Sequence, residues 1–272
     1  MLLGRSFARS GAAWDFGVAQ WNILADHLSD AFPMVEEKRF LSWEHRGPLI
    51  VEEMRRWLRL GLVVCMQEVD KFADLERAVR DEAVGIFAEK HTDGCAMFVP
   101  RGRYSVLDSG HERLLGEGHS HLMLHCRLED ATGRRFLLVT THLKAKVGNE
   151  EIRDRQTKAL AAKSQKVKQP DDILIVCGDF NDIPSSAAVT NMRNLNLVDA
   201  YEEMKMQSYT TSKIREKLVT RTIDYIWYPR DGPLECVDCL QIPPQESLGP
   251  RALPNGSYPS DHLGIASVFR KR

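Results

Sequence analysis

The sequence predicts a layered α/β sandwich whose strands are covered by other layers. Many segments are rich in β-branched and aromatic residues and end at polar, Gly or Pro residues, as strands do. Other segments repeat apolar residues every three or four positions, as amphipathic helices do. Continuous apolar runs, such as the run from Ile173 to Cys177, are typical of strands that are buried on both faces.

The predicted elements alternate irregularly along the chain. Strands are expected at residues 16–24, 62–69, 95–99, 121–128, 136–143, 173–177, 222–228 and 263–269. Helices are expected at residues 48–60, 72–83 and 149–168. Residues 207–217 and 243–260 are polar or rich in Pro, Gly and Ser, and we expect long surface loops there. Long loops often carry function.

Length and composition indicate one large globular domain. The chain has 272 residues, 43% of them hydrophobic and 28% charged, which suits a globular fold with a substantial core. We expect a short N-terminal segment, 1–15, followed by a single domain at 16–272, acting as a monomer. Lys and Arg (37) nearly balance Asp and Glu (38), so any binding of nucleic acid must be local rather than spread over the surface.

Cysteine use and hydropathy bear on location. Most of the six cysteines sit in apolar, strand-like runs, which suits a reducing compartment such as the cytoplasm. Cys236 and Cys239 have CxxC spacing but lack a second pair, so we predict structural thiols and no zinc. No apolar stretch approaches the roughly 20 residues that span a bilayer, which argues against an integral membrane protein. Arg5 and Arg9 in an acid-free N-terminus leave a mitochondrial presequence as an alternative.

Polar residues stand where several apolar strands end. A single carboxylate or histidine at a strand end is usually a cap or a solvated turn residue. Burying all of them would cost several kcal/mol each without partners or a metal, and one shared site at a rim would explain the pattern. The residues concerned are Asn22, Glu68, His142, Asp179, Asn181, Asp224, Asp261 and His262.

These residue types match a magnesium phosphate site. Mg²⁺ prefers one or two carboxylates together with water and substrate oxygens, whereas zinc favours clustered Cys and His. We therefore expect Mg²⁺, with Mn²⁺ as an alternative. His119, His121 and His125 lie close in sequence but supply no carboxylate, and we expect them to be structural.

The ordered motifs around these residues resemble those of the endonuclease/exonuclease/phosphatase superfamily. They are QWNILA from Gln20, QEVD from Gln67, THLK from Thr141, GDFN from Gly178, IDY from Ile223 and SDH from Ser260. The resemblance implies a four-layer sandwich of two mixed sheets flanked by helices, with the site at the strand rim. It covers the chain from about Val18 to the end.

The resemblance also implies roles for the matching residues. Glu68 and Asn22 would help hold Mg²⁺, and Asp261 would support the metal shell. Asp179 would orient and deprotonate the attacking water, and Asn181 would place water and phosphate. His142 and His262 would stabilise the phosphoryl oxygens, with Asp224 holding His262.

One branch of the superfamily shares further segments with this chain, including DGCA from Asp93, KIR from Lys213 and YPSDH from Tyr258. The resemblance to that branch implies removal of the 2′-phosphate from NADP⁺ and NADPH, with 3′-to-5′ shortening of poly(A) RNA as the alternative. It implies dinucleotide contacts from Lys90, Lys144, Lys146 and Arg215, although a scattered Lys is by itself usually solvated surface. Vertebrate members have Arg at the position of Lys146, and Lys cannot bind a phosphate in the planar, bidentate manner of Arg. The loop between Lys90 and Asp93 is also shorter than theirs.

Overall fold

Two mixed β-sheets packed face to face form the centre of the protein. The computed structural model describes residues 2–8, 11, 13–116, 118–206 and 209–272. Within these residues the strands are β1 (Phe16–Asn22), β2 (Val63–Val69), β3 (Ala83–Glu89), β4 (Gly94–Pro100), β5 (Tyr104–Arg113), β6 (Leu122–Asp130), β7 (Arg135–His142), β8 (Asp172–Asp179), β9 (Leu197–Asp199), β10 (Thr211–Ile214), β11 (Leu218–Arg221), β12 (Asp224–Pro229), β13 (Leu234–Cys239) and β14 (Ile265–Lys271). The α-helices are α1 (Trp43–Leu60), α2 (Phe72–Val79), α3 (Glu150–Val167), α4 (Ala187–Arg193) and α5 (Ala200–Glu203).

The strand order brings particular strand ends to one rim. The first sheet has the order β13-β14-β1-β2-β4-β3, and the second has the order β5-β6-β7-β8-β12-β9. β1 pairs with β2 in parallel and β7 pairs with β8 in parallel, while the other pairings in these sheets are antiparallel. The carboxyl ends of each parallel pair therefore lie side by side.

Strand alternation sorts the apolar residues into three buried layers. In β1, Phe16 and Val18 enter the core between the sheets, whereas Ala19 and Trp21 face the layer of α1 and α2. The outer face of the second sheet packs against α3 and α4, where Leu160 and Val189 are fully buried. The helix, sheet, sheet, helix order confirms the predicted four-layer sandwich.

Some predicted boundaries were wrong. The helix expected at 72–83 ends at Val79, because Ala83 already begins β3, which pairs with β4. The helix expected from Pro48 begins at Trp43 and includes Pro48 near its start. The loop expected at 207–217 contains β10, paired with β11 in a hairpin, while Gln207 and Ser208 lie outside the described residues.

The N-terminal residues pack onto the domain. The Leu2 N–H donates to Glu53 Oε2 (2.9 Å), and the buried Arg5 donates through Nη1 to the Gly264 carbonyl (2.6 Å). Arg9, which contributed to the presequence alternative, lies outside the described residues. Among the described residues no helix is both long and apolar enough to cross a membrane. Arg5 therefore has a structural partner close to His262.

Gly178 allows β7 and β8 to approach closely just before the rim. Its φ is +149°, and a Cβ atom there would lie 2.1 Å from the Thr141 carbonyl oxygen, which belongs to the neighbouring strand. The register places Thr141 opposite Gly178 and His142 opposite Asp179. A side chain at Gly178 would push apart the strands that carry these residues.

We therefore expect Gly178→Ala to destabilise the protein by more than about 3 kcal/mol, because steric overlap adds to backbone strain. Urea unfolding followed by circular dichroism measures this loss. Gly133→Ala is the matched control: its φ is also positive (+81°), but nothing lies within 4 Å of the added Cβ. Gly133→Ala should cost only about 1 kcal/mol. Equal losses in the two variants would contradict the steric explanation.

Candidate active site

The strand face between the sheets becomes polar at the rim. Phe16, Val18, Gln20 and Asn22 alternate along β1 and share this face. The same change from apolar to polar occurs along β2, β7 and β8, and at the start of β12. The polar residues at these positions are Gln67, Thr140, His142, Asp179 and Asp224.

Register then sets these residues side by side. Across the second sheet, Asp179 lies between His142 on β7 and Asp224 on β12. Across the first sheet, Asn22 lies opposite Gln67. Both rows lie at the same rim, so the two sheets contribute to one site.

A layer of hydrogen-bonded side chains forms the floor of the site. Gln20 Nε2 donates to Gln67 Oε1 (2.6 Å) and to Asp224 Oδ1 (3.1 Å). Gln67 Nε2 donates to Thr140 Oγ1 (2.9 Å) on the other sheet. All four residues are buried. The layer separates the apolar core from the charged rim. Gln20, Gln67 and Thr140 were not among the site residues predicted from the sequence.

Asn22 bridges two carboxylates that come from different sheets. Its Nδ2 lies 3.0 Å from Glu68 Oε1 and 3.0 Å from Asp179 Oδ2. Asn22 Oδ1 accepts from the Leu24 N–H (3.0 Å), and Ser260 Oγ donates to the Asn22 carbonyl (2.7 Å). The side-chain amide of Asn22 thus links Glu68, the predicted metal ligand, to Asp179, the predicted base.

Glu68 reaches the site through a break in strand regularity. Strict alternation would place Glu68 on the face opposite Gln67. Its φ is +56°, and the pairing of β2 with β4 shifts register between Met66 and Val69. The Glu68 carboxylate accepts from the Ala25 N–H through Oε2 (3.2 Å). Left-handed backbone at a non-glycine residue costs about 1–3 kcal/mol and is concentrated at functional sites.

Asn181 also has left-handed backbone, with φ +52°. The Asn181 N–H donates to Asp179 Oδ1 (2.8 Å), and its Nδ2 donates to the Leu143 carbonyl (3.1 Å). The turn after β8 therefore holds one oxygen of Asp179 and leaves Oδ2 facing Asn22 and the two histidines. Burial raises the pKa of Asp179 to about 7, and nearby Asp224 adds to this effect while His262 opposes it.

The two site histidines have opposite charge preferences. Burial by itself would lower the pKa of His262, but the carboxylates of Asp224, Asp179 and Asp261 raise it to about 10. His262 Nδ1 lies 2.9 Å from Asp224 Oδ2, which leaves Nε2 directed at Asp179 Oδ2 (3.7 Å). Burial lowers the pKa of His142 well below its ordinary value, with Lys90 and His121 adding to the effect. His142 Nε2 lies 3.6 Å from Asp179 Oδ2, beyond hydrogen-bond range.

Asp261 is paired with a lysine that the sequence analysis did not assign to the site. Lys213 Nζ lies 2.5 Å from Asp261 Oδ2. Burial would raise the pKa of Asp261, but Lys213 and His262 lower it to about 2. Lys213 stands on β10, in a segment predicted as a loop, although its motif KIR had been noted. The hairpin therefore carries a cation into the site.

The predicted substrate-binding residues lie on several elements around this centre. Lys90 is largely buried and pairs with Asp93 (3.5 Å), and its charge contributes to the lowered pKa of His142. Lys144 is partly buried and contributes to the lowered pKa of His121. Lys146 is exposed, and Arg215 is exposed with its guanidinium 4.9 Å from the Phe32 ring centre. Lys90 thus lies near His142 and His121, and Lys144 lies near His121. Among the described residues, no contact joins Lys146 to the carboxylates of the site.

Arg153 holds the lysine-bearing loop in place. This buried side chain of α3 donates through Nη1 to the carbonyls of Lys144 (3.1 Å) and Lys146 (2.9 Å). Its Nε donates to Asp182 Oδ2 (2.8 Å), one residue after Asn181. The loop after β7 and the turn after β8 therefore share one anchor, which sequence reasoning did not identify because Arg153 reads as an exposed helix position.

The donor set fits a divalent cation. Carboxylates outnumber cations here: Glu68, Asp179, Asp224 and Asp261 face His262 and Lys213, and a cation would offset the excess negative charge. Asn22 would have to turn its amide oxygen toward such a cation, since its nitrogen now contacts both carboxylates. Asp179, Asp224 and His262 also offer ligand atoms within 4.8 Å of one another. His262 and Asp224 bind each other within this cluster, whereas Glu68 would be released from Asn22 Nδ2 if the Asn22 amide turned its oxygen toward the cation.

The chain is similar to a known protein family over most of its length. The model of the Endonuclease/Exonuclease/phosphatase family matches residues 19–262. Nocturnin from Mus musculus is 34% identical over 284 residues, covering 93% of this chain and 65% of that protein. The chain therefore spans just under two thirds of the length of that relative. Nocturnin from Xenopus laevis is 32% identical over 298 residues, covering 97% of this chain and 75% of that protein.

Solved structures share the fold. The human Nocturnin catalytic domain with bound sulfate anion has a TM-score of 0.79 and 31% identity, covering 99% of this chain and 97% of that chain. ANGEL2, a 2′,3′-cyclic phosphatase, in complex with adenosine-2′,3′-vanadate, has a TM-score of 0.83 but only 20% identity, covering 98% of each chain. The expected resemblance to the superfamily and to its Nocturnin branch is confirmed.

We expect Asp224→Asn to lower the pKa of His262, because the largest favourable charge is removed. In the wild type the folded-state pKa of about 10 exceeds the ordinary 6.5, so charged His262 stabilises the fold fully below about pH 6.5 and this contribution is lost as pH rises through about 10. NMR titration of the imidazole protons in EDTA, with His262→Gln for assignment, measures the midpoint. His125, which faces Asp108 and Glu112 instead, is the internal control. An unchanged midpoint for His262 would contradict the assigned cause.

Proposed function

Because the chain belongs to the endonuclease/exonuclease/phosphatase family, and so is a phosphohydrolase or a deadenylase-type nuclease, we propose that it is a Mg²⁺-dependent phosphatase of NADP⁺ and NADPH. The reaction would remove the 2′-phosphate and give NAD⁺ and NADH. The observation that carries this proposal is the meeting of Glu68, Asn22 and Asp179 across the two sheets, beside His142 and His262.

Glu68 and Asn22 would hold the metal, with Asp261 supporting its surroundings; Mn²⁺ is an alternative ion. When bound, the divalent cation supplies neutralising charge to the phosphoryl oxygens. Glu68 is suited to this role because its carboxylate is partly buried and anchored by the Ala25 N–H. The balance of carboxylates over cations at the site supports the same assignment.

The remaining residues would divide the work on water and phosphate. Asp179 Oδ2 would accept the proton of the attacking water, and the Asn181 N–H keeps Oδ1 occupied so that Oδ2 faces the reaction. Asp224 fixes His262 through Nδ1, so that His262 Nε2 can donate to a phosphoryl oxygen. His142 Nε2 lies on the other side of Asp179 and would do the same. Asn181 Nδ2 is held by the Leu143 carbonyl, which keeps this turn in position.

A small dinucleotide suits the charge distribution better than a long RNA. The formal net charge of −1 shows no overall basic excess, whereas polymer binding draws on many phosphate contacts. Basic groups instead flank the site locally, with Lys90 and Lys144 near the histidines and Arg215 on the β10–β11 hairpin. These residues, with Lys146, would contact the phosphates and ribose of NADP(H).

The alternative function is a 3′-to-5′ poly(A) exoribonuclease. Two observations favour it as the second candidate: a Carbon catabolite repressor protein 4 homolog from Arabidopsis thaliana is 24% identical over 93% of this chain, and a CCR4-Not complex 3′-5′-exoribonuclease subunit from Aspergillus niger is 23% identical over 85%. The same carboxylates and histidines would serve both reactions.

For cellular location, we propose that the chain acts as a monomer in the cytoplasm, where free thiols persist, with mitochondria as the alternative.

Parallel assays separate the two substrates. We expect purified protein with Mg²⁺ to release phosphate from NADPH and leave NADH, and to leave an oligoadenylate intact. EDTA should abolish the reaction, and Asp179→Asn should lower kcat by roughly 10²–10⁴-fold with the fold retained. Phosphate release and chromatography of the nucleotides provide the readout. An intact NADPH pool beside a shortened oligoadenylate would reject the proposal in favour of the exoribonuclease.

Lys213→Met tests the contribution of the hairpin cation. We expect at least a roughly 10-fold loss of kcat/KM, because removing Lys213 leaves the buried Asp261 carboxylate with only the more distant His262 (3.9 Å) to balance its charge. The additional Asp261→Asn substitution should restore thermal stability lost in the single variant. Lys217→Met, on the exposed turn of the same hairpin, is the matched control and should behave like the wild type. Equal effects at both lysines would instead indicate a general surface-charge effect.

A further inference from the structure

An irregularity in β13 brings two cysteines to the same face. In a regular strand, residues three apart point to opposite faces. In β13 the pairing with β14 shifts register between Cys236 and Asp238, so that Cys236 lies opposite Phe269 and Cys239 lies opposite Ser267. The bulge absorbs one residue. Cys236 and Cys239 therefore stand two partner positions apart and share a face.

The two thiols are close enough to react with each other after a small movement. Their Sγ atoms are 3.7 Å apart. Cys239 Sγ also lies 3.2 Å from Ser267 Oγ, which fixes the position of the buried thiol. Cys236 is partly exposed and Cys239 is buried, and both pack at the margin of the core between the sheets. The pair thus combines an accessible sulfur with a sheltered one.

The other four cysteines differ in a way that matters for reactivity. Cys65, Cys95, Cys126 and Cys177 are at most 1% exposed, deep between the sheets. Burial raises the pKa of Cys95 and of Cys126 to about 12 and that of Cys239 well above its ordinary value, so the thiolates of these buried cysteines are scarce near neutral pH unless the strand opens locally. Cys236 is the most exposed of the six thiols. An oxidant from solution should therefore meet Cys236 before any of the others.

We propose that Cys236 and Cys239 form a reversible thiol–disulfide site that reacts with low-molecular-weight disulfides. In the first step the Cys236 thiolate attacks one sulfur of a disulfide such as oxidised glutathione, forming a mixed disulfide and releasing one glutathione thiolate. In the second step the Cys239 thiolate attacks Cys236 Sγ, which forms the Cys236–Cys239 bond and releases a second glutathione thiolate. The two protein thiols lose two protons and two electrons, and the small disulfide gains the electrons.

The position of the cysteine pair on an edge strand favours reversible oxidation. β13 is an edge strand of the first sheet, so one of its sides pairs with β14 and the other is free of strand pairing among the described residues. Edge strands open locally more easily than central ones, which would expose Cys239 for the second step. The ring closed by residues three apart is short and constrains the unfolded chain little, so the disulfide should be reducible by the same thiol pool.

The surroundings suit a disulfide better than a metal. A structural zinc site takes four N or S ligands. Within the part of the chain that the structure describes, the cluster of three or more potential metal ligands lies at Asp179, Asp224 and His262, and not beside this pair. Asp238 uses Oδ1 to accept the Cys239 N–H (2.8 Å). The proposal is independent of the hydrolase activity, since β13 carries none of the residues assigned to that site.

The test is oxidation of the folded, reduced 272-residue protein by a graded ratio of oxidised to reduced glutathione. Intact mass and peptide mapping after alkylation report the products. We expect loss of two hydrogens located to the Cys236–Cys239 peptide, complete reversal by excess reduced glutathione, and free thiols at Cys65, Cys95, Cys126 and Cys177. Cys239→Ser should stop at a mixed disulfide on Cys236, whereas Cys236→Ser should react far more slowly.

Several outcomes would overturn the proposal. The proposal is overturned if the folded wild type keeps both thiols at a ratio that oxidises the unfolded chain, or if glutathione attaches with equal yield to the core cysteines. Stoichiometric zinc retained through purification and blocking oxidation would assign the pair to a metal instead. Cys126→Ala, which removes a core thiol, is the matched control and should leave the oxidation unchanged. Peptide mapping of the wild type keeps the test decisive even if a serine variant folds poorly.

Discussion

The bridge that Asn22 makes between Glu68 and Asp179 is the contact on which the site depends. Its two hydrogen bonds, both 3.0 Å, join a carboxylate of the first sheet to one of the second. Like charges that are partly or fully buried repel unless a donor or cation lies between them. The face-to-face packing of the sheets is therefore a condition for the chemistry, and the Gln20, Gln67 and Thr140 layer beneath keeps that packing in register.

The opposite charge preferences of His142 and His262 follow from their neighbours. Both rings are buried, but His262 is hydrogen-bonded to Asp224, whereas Lys90 lies near His142. A site that combines a charged and a neutral imidazole can offer N–H donors to a phosphate without adding two positive charges to a centre that also attracts a metal. Local electrostatics thus assign different tasks to the same residue type.

Much of the site could be predicted from sequence because polar residues interrupting apolar strands are visible there. Asp179 and His142 follow such runs directly, and the predicted sandwich follows from the same runs. Lys213 and the hairpin that carries it were missed because a short strand of Thr, Ser and Lys has the composition of a loop. The exposed, charged strand β5 was missed for a similar reason. The left-handed backbone of Glu68 and the bulge in β13 depend on pairing between strands that are distant in sequence. Local sequence patterns do not predict such pairing.

The β10–β11 hairpin stands apart from the two large sheets, yet it delivers Lys213 to Asp261 and Arg215 to the surface nearby. Its other cations are Lys217, which is exposed in the turn, and Arg221, which is exposed at the opposite end of the hairpin, where it pairs with Thr211. Insertions or substitutions in the exposed part of this hairpin would therefore alter the charge that a ligand meets without changing the two six-stranded sheets. Because the two sheets hold the carboxylates while the hairpin carries several exposed cations, substitutions in the hairpin offer a route by which new substrates could evolve.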